Sequence, residues 1–598
     1  MNKLLGHSFH IPVMGTGYTV DTPVKVAQFG ISSVISIVDD ILIEKMRELY
    51  SKKLNLDFQP ISEKNKDSRA ERITAYLNLM DKMVKEKFEE MKNSFHEKGK
   101  ELEKYMDMLP DFSSLKKEFH ELVDDNHYVQ EAKEWLNKNL PMGSIDVNIM
   151  TKVDKDNFHE GEKLPVEFND AHAALRGFAN STLASSLVLS AGMNPRLYSY
   201  LEQFEDFYPD TNNYIKKKIV LKVSDFRSAL IQGKILAKKG IWVSEYRVES
   251  GLNCGGHAFA TDGFLMGPIL EEFKSKRQEL IQATHELLQP ALKAKNRPFP
   301  EEAMEVAITA QGGVGTAEEH QFLIDHYQLD SVGWGSPFLL VPEVCDVDPH
   351  TLNLLSKATE KDLYLSHSSP LGVRFNNLRG NSRDEGKLEM IAKGQPGSAC
   401  TKRYLVANTE YTENPICTAS TQYQKKKVEE LKAQNLSEEE YNKQILKMSE
   451  KSCLCKGLSA ASFLVNGIDT HPNGDGVSIC PGPNMAYFSK IASLKEMVAH
   501  IYGRTNLIKS QDRPHMFAKE LSLYVDYLKE QIGELTEPVT KKQMKYLEKF
   551  RANLHEGIEY YKGLSKNLKG KFDSMKNKMI HDLEKLEKEL NILHVNEY

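Results

Sequence analysis

The strongest constraint on the fold is a rhythm. Eight short apolar runs recur near residues 11, 33, 145, 187, 219, 242, 306 and 332. Ile11-Pro12-Val13-Met14 leads into Gly15-Thr16-Gly17, a brief helix over 24–29 follows, and Ser33-Val34-Ile35-Ser36-Ile37-Val38 comes next. Later, 144–150, 186–191, 218–223, 241–248, 305–310 and 331–336 read the same way, with helical stretches over 170–187, 225–239 and 317–327 between them. Short β-branched runs bounded by turn residues are strands, and strands alternating with helices build a parallel sheet. Eight such units predict an α/β fold, a closed (β/α)8 TIM barrel. Every strand's C-terminal end then opens onto one mouth, and the glycine turns fall there.

Two stretches break the rhythm. Residues 39–140 are dense in Lys, Glu, Met and Leu at helical spacing, and 83–106 are nearly half charged. That density predicts a solvated helical hairpin projecting from the body; a lid or a dimerisation arm is the alternative. After about residue 395 the strands end. The expected division is a barrel from 1–38 and 141–395, a helical insertion at 39–140, a cysteine-containing extension at 396–500 and a helical region at 501–598. The last nineteen residues of that region that carry a pattern, 575–593, repeat Lys, Glu and Leu at close to heptad spacing. Insertion and tail share this composition and are expected to pack together, with homo-oligomerisation through either as a further expectation. Pro538 is expected to separate two tail helices.

Composition excludes several classes. The formal charge of −6 is small for 598 residues and argues against a nucleic-acid binder. No apolar run reaches the length of a membrane span, and residues 1–10 lack a signal-peptide core. Seven cysteines, an odd number, do not suggest a disulfide framework. The expectation is a cytoplasmic protein acting on a small molecule, with neither membrane nor nucleic acid as partner.

Within the barrel, the segment Val248-Glu249-Ser250-Gly251-Leu252-Asn253-Cys254-Gly255-Gly256-His257 stands out. Gly255 and Gly256 let a flat ligand approach bare backbone, with His257 beside it. Gly312-Gly313 after the seventh strand and Gly335-Ser336 after the eighth stand where such barrels hold a phosphate. Lys222, on an otherwise apolar strand, needs an anion or a polar ligand edge. Cys254 reads as a packing residue rather than a nucleophile.

These stretches resemble, in order and spacing, the landmarks of the nitronate monooxygenase (2-nitropropane dioxygenase-like) family. The resemblance is carried by Met14-Gly15-Thr16-Gly17, Cys254-Gly255-Gly256-His257, Ala310-Gln311-Gly312-Gly313-Val314-Gly315, Ser331-Val332-Gly333-Trp334-Gly335-Ser336 and 369–380, over residues 8–40 and 144–380. It implies a TIM barrel binding FMN, with the phosphate at Gly312, Gly313, Gly335 and Ser336. It implies the isoalloxazine near Gly15, Thr16, Asn148 and Lys222, and His257 acting on substrate over the flavin. The implied activity is FMN-dependent oxidation of alkyl nitronates with O2, with flavin-dependent enoyl-thioester (enoyl-ACP type) reduction as the alternative. Asn253-Cys254 replaces the family's usual Glu-Ala, and Trp334 and Ser336 replace its methionine and threonine, which touches the substrate pocket more than the flavin. A rival of another class is a non-catalytic assembly protein that uses the barrel as scaffold.

Five of the cysteines, Cys400, Cys417, Cys453, Cys455 and Cys480, crowd into the extension around a charged helical stretch over 424–451. Clustered thiolates suit zinc or an iron–sulfur cluster, though no pair has C-x2-C spacing; buried reduced thiols are the alternative.

Overall fold

The computed structural model describes residues 6–94, 100–124, 129–150, 153–190, 192–510, 512–535, 539–567 and 573–593. Pro538 lies outside them. Eight parallel strands close into a barrel: β1 (Phe9–Ile11), β2 (Ser32–Ser36), β3 (Ile145–Ile149), β4 (Ser185–Leu189), β5 (Lys217–Val223), β6 (Val243–Glu249), β7 (Ala307–Gln311) and β8 (Ser331–Gly333). Closure is made by β1, which pairs with β8 through Phe9 and Val332 and with β2 through His10 and Ser32. The expected fold class is therefore the observed one, and all eight expected strands are present. The helix expected over 170–187 is shorter, Asp170–Ala179, because residues 185–189 extend into β4.

Strand register sorts side chains to the two faces of the barrel wall. Val34, Val188 and Val220 form a small cluster of their own, apart from the main core to which Ile35, Leu187, Leu189, Ile219 and Leu221 belong. Asn148 is level with Val188, Val188 with Val220, Lys222 with Arg247, and Glu249 with Gln311. The face that carries the small valine cluster thus also carries Asn148, Lys222, Glu249 and Gln311 at its C-terminal end.

The insertion does not project. Helix Ser68–Asn93 buries Ile73, Leu77, Met80 and Val84 at three- and four-residue spacing, and packs along helix Asp170–Ala179. A Cβ at Gly177 would lie 2.7 Å from Ile73 Cβ, so the two backbones meet at that glycine. The charge density counts both faces of the helix together; most of the charges occupy the outer one, while Arg72 and Asp81 are buried. Arg69 and Arg72 fix this helix to Asp40 at the start of helix Asp40–Lys53, at 2.6 and 2.9 Å.

The tail does not pair with the insertion as expected. Helices Met516–Gly533, Lys541–Asn567 and Asp573–Ile592 pack on one another, and the first two pack on helix Met266–Ser275 of the barrel. The heptad-like stretch is thereby used within the chain: Met579, Leu583 and Leu590 are fully buried. The insertion instead meets the earlier helix Leu494–Ile501, where Lys495 pairs with Asp107 at 2.6 Å. The charged stretch over 424–451 is two helices, Thr421–Ala433 and Glu438–Ser449, the second capped by Ser437. One continuous apolar core includes Leu77 of the insertion, Val147 of the barrel, Leu458 of the extension and Leu583 of the tail. Among the described residues, no helix is long and apolar enough to cross a membrane.

Candidate functional site

A cavity of about 330 Å³ lies at the C-terminal ends of the strands, and every expected cofactor and catalytic residue lines it: Gly15, Thr16, Asn148, Lys222, Gly255, Gly256, His257, Gly312, Gly313, Gly335 and Ser336. Its floor is polar. Lys222 Nζ pairs with Glu249 Oε1 at 3.0 Å, and Gln311 Nε2 donates to the same oxygen at 2.6 Å. The anion that Lys222 requires is therefore supplied by the neighbouring strand. Glu249 had a signal in the sequence: Glu245, Arg247 and Glu249 alternate along β6 and share one face. Glu245 and Arg247 pair at 2.7 Å one layer deeper.

Two polar atoms in the cavity wall are buried without a hydrogen-bond partner: Thr16 Oγ1 and Asn253 Oδ1. Each costs on the order of 1–3 kcal/mol if it stays unpaired, so this wall is built to meet polar atoms of a ligand.

The rim is glycine-rich for two different reasons. At Gly335 the constraint is space, since a Cβ there would press on Pro12 Cγ at 3.3 Å. At Gly312 and Gly313, φ of 140° and 79° demands glycine, and a Cβ on Gly313 would strike the Asn253 amide at 2.0 Å. The Gly313 carbonyl accepts from Arg513 Nη2 at 2.7 Å, and Arg513 is itself paired with buried Glu319. Ser336 Oγ accepts from Gly482 N at 2.7 Å, which leaves its own hydrogen to donate elsewhere.

The extension forms the roof. Leu454–Val465 is buried from Leu454 through Phe463, and Gly17 N donates to the Leu458 carbonyl at 3.0 Å. Gly255 approaches the roof closely: a Cβ there would sit 2.5 Å from the Cys480 carbonyl, which accepts from Gly256 N at 3.1 Å. The bare backbone of Gly255 thus serves a chain crossing, while Gly256, with φ of 77°, has open space beside it. His257 Nε2 bonds Ser369 Oγ at 2.7 Å, and its ring stands edge-on to Phe375 with centroids 4.9 Å apart. Burial, with Glu249 nearby, pushes the Cys254 thiol well above its ordinary range and keeps it neutral.

The five extension cysteines do not gather into a ligand set. Cys455 and Cys480 line the cavity, Cys453 is buried at the cap of Leu454–Val465, and Cys400 packs beside Cys417 in a small cluster with Val406 and Ala419. Among the described residues, the one group of three ligand-type side chains within 4.8 Å is His367, Glu530 and Glu534, whose two carboxylates both receive Arg374.

Sequence reasoning missed Arg513, Glu319, Asn484 and Glu520, which brace the rim from elsewhere in the chain. Asn484 Nδ2 donates to the Val314 carbonyl at 2.7 Å, and Asn484 Oδ1 accepts from Arg513 Nε at 2.9 Å. These contacts join residues far apart in sequence, and no local pattern announces them.

A barrel with a roofed, polar-floored cavity at its strand ends defines the class of architecture. The chain matches no protein-family profile and no curated protein sequence. Among solved structures, the crystal structure of the enoyl reductase domain of MlnA from the macrolactin biosynthesis cluster of Bacillus amyloliquefaciens is similar over 73% of this chain and 88% of that one, at 13% identity and a TM-score of 0.31.

Proposed function

We propose that this chain is an FMN-dependent oxidoreductase in which His257 acts on the substrate beside the flavin. The observation that carries the reading is the cavity itself: unpartnered Thr16 and Asn253 atoms, a charged floor and a glycine rim in one space of about 330 Å³. That size lies within the range of small-molecule and cofactor sites. Thr16, Asn148, Lys222 and Gln311 are suited to the polar edge of the isoalloxazine. Gly312, Gly313, Gly335 and the Ser336 hydroxyl are suited to the phosphate. FMN would supply the electron or hydride transfer.

The chain's own residues supply the rest. Glu249 holds Lys222 in place and is itself held by Gln311. Ser369 orients the imidazole of His257 through Nε2, and an imidazole held in that way is suited to proton exchange with substrate. The extension roof covers one side of the cavity with Leu454, Leu458 and Ile479.

For the substrate, oxidation of an alkyl nitronate with O2 is the first reading, with His257 meeting the α-carbon proton or the anionic charge. Reduction of an enoyl thioester is the second, and one feature favours it: Leu371, Val373, Phe375, Leu405, Leu454 and Leu458 give the cavity an apolar wall that suits an acyl chain. The helices of insertion and tail are used in the common core, which supports an enzyme over an assembly scaffold. The test is anaerobic mixing of FMN-loaded protein. Bleaching by a nitronate supports the first reading; bleaching by NAD(P)H, reversed by an enoyl thioester, supports the second; neither response contradicts both.

A further inference from the structure

The loop that carries His257 runs from Ser250, after β6, to Leu265, before helix Met266–Ser275. Both of its ends terminate on a single side chain from the tail. Ser250 Oγ donates to Glu520 Oε1 at 2.5 Å, and Met266 N donates to Glu520 Oε2 at 2.9 Å. Ser250 Oγ in turn accepts from Asn253 N at 3.1 Å, and Asn253 Nδ2 donates to the Met516 carbonyl at 3.2 Å. Helix Met266–Ser275 has Leu265 at its N-cap position and no side-chain cap of its own. Its first two amides are met from the tail, Met266 N by Glu520 and Gly267 N by Tyr561 Oη at 3.1 Å.

We infer that Glu520 is a positioning residue for His257: its carboxyl clasps the two ends of the loop and so fixes the imidazole over the cavity. Glu520 is 2% exposed and sits on the apolar face of helix Met516–Gly533 with Phe517, Leu521, Tyr524 and Val525. Burying a carboxyl there is expensive unless its oxygens are used, and both are used on the loop. Burial raises its pKa to about 7, against the hydrogen bonds it receives from Ser250, Met266 N and the Tyr561 hydroxyl. The middle of the loop is held separately, through Gly256 by Asn376 and Cys480 and through Ala258 N by the Arg374 carbonyl at 2.9 Å. The second limb is also held by helix Lys541–Asn567, where Tyr546 Oη donates to the Thr261 carbonyl at 2.9 Å and Asn553 Nδ2 to the Asp262 carbonyl at 2.6 Å, so release of the clasp loosens the loop where it leaves β6 and where it enters helix Met266–Ser275.

The inference rests on the proposed oxidoreductase reading for the consequence of the clasp, though not for its existence. The test uses the full chain with Glu520→Leu, which fills the space without hydrogen bonding, and Glu520→Gln, which can accept from Met266 N and donate to Ser250 Oγ. Hydrogen exchange followed by mass spectrometry is expected to rise about tenfold in residues 250–266 of E520L and to stay near wild type in E520Q. On FMN-loaded protein, kcat of E520L is expected to fall about tenfold while KM and the FMN dissociation constant stay within twofold, again with rescue in E520Q. Unchanged exchange in 250–266 of E520L overturns the clasp. Faster exchange across the whole chain in both variants also overturns it, because it assigns Glu520 to general stability. Local loosening with unchanged kcat overturns the role toward His257. A chain that takes up no FMN sinks the oxidoreductase reading and leaves the exchange result to decide the clasp.

Discussion

The floor of the cavity is made by neighbours in one sheet, whereas its roof and braces come from segments far along the chain. Asn148, Lys222, Glu249 and Gln311 stand at the ends of β3, β5, β6 and β7, placed by strand register alone. The roof residues Leu454, Leu458 and Cys480, and the braces Arg513 and Glu520, reach the same space through loops and helices that the barrel does not require. The difference teaches where each part is vulnerable. The floor survives as long as the barrel closes; the roof depends on a few buried polar contacts between distant segments.

The largest effect is expected where roof and barrel are joined. Lys402 of the extension and Asp39, just after β2, form an ion pair in which both side chains are 1% exposed. Lys402→Met leaves a buried carboxylate without its cation and should cost about 3–5 kcal/mol, read as a marked fall in Tm with early loss of FMN. An unchanged Tm would mean that the roof is not fastened there.

Next comes the pH response of the brace. Glu520 has a folded-state pKa raised from 4.5 to about 7, so the folded chain keeps a proton that the unfolded chain releases within that window. Its contribution to stability is therefore greatest below pH 4.5, falls as pH rises, and is level above about 7, a change on the order of 3 kcal/mol. Tyr524, Tyr561 and Cys254 face it, and burial pushes all three up, so they stay neutral across the window. Denaturation of E520Q against wild type from pH 5 to 8 should show a flatter profile for the variant; parallel profiles would remove Glu520 from the account.

A smaller effect is expected on the floor. Lys222→Met leaves the barrel closed and should weaken FMN binding by roughly 10–100-fold, the value of a hydrogen bond from a charged group, measured by fluorescence titration. The smallest is at the rim. Ser336→Ala removes one hydroxyl and leaves Gly482 N without its acceptor, for an expected loss of about 1 kcal/mol, or roughly fivefold in FMN affinity. If Ser336→Ala lowered Tm more than Lys402→Met, the ordering of rim and roof would be reversed.

The same division explains what could be read from the sequence. The eight strands were legible because each is a short apolar run with its own turn, and the glycine and histidine positions followed from where those runs stop. Glu249 was partly legible, as the last of three alternating charged residues on β6. The insertion was misread because charge density was counted without asking which face held it; Ile73, Leu77, Met80 and Val84 make an unbroken buried stripe. The tail was misread because heptad-like spacing says that a helix packs, but not on what. In the extension the five cysteines drew attention to metal chemistry, while the more informative pattern was the run of small and apolar residues from Leu454 to Val465, buried almost throughout. Glu520 and Arg513 had no local signal, because the loop and rim partners they hold, Ser250, Met266 and Gly313, lie about two hundred residues or more away in sequence.

All of these comparisons turn on the cavity holding a flavin. The most direct measurement is the visible absorption spectrum of the purified full chain after incubation with FMN and removal of the excess by gel filtration. The account predicts flavin bands that travel with the protein at close to one FMN per chain, weakened in Lys222→Met. A colourless protein that cannot be loaded with FMN would contradict it.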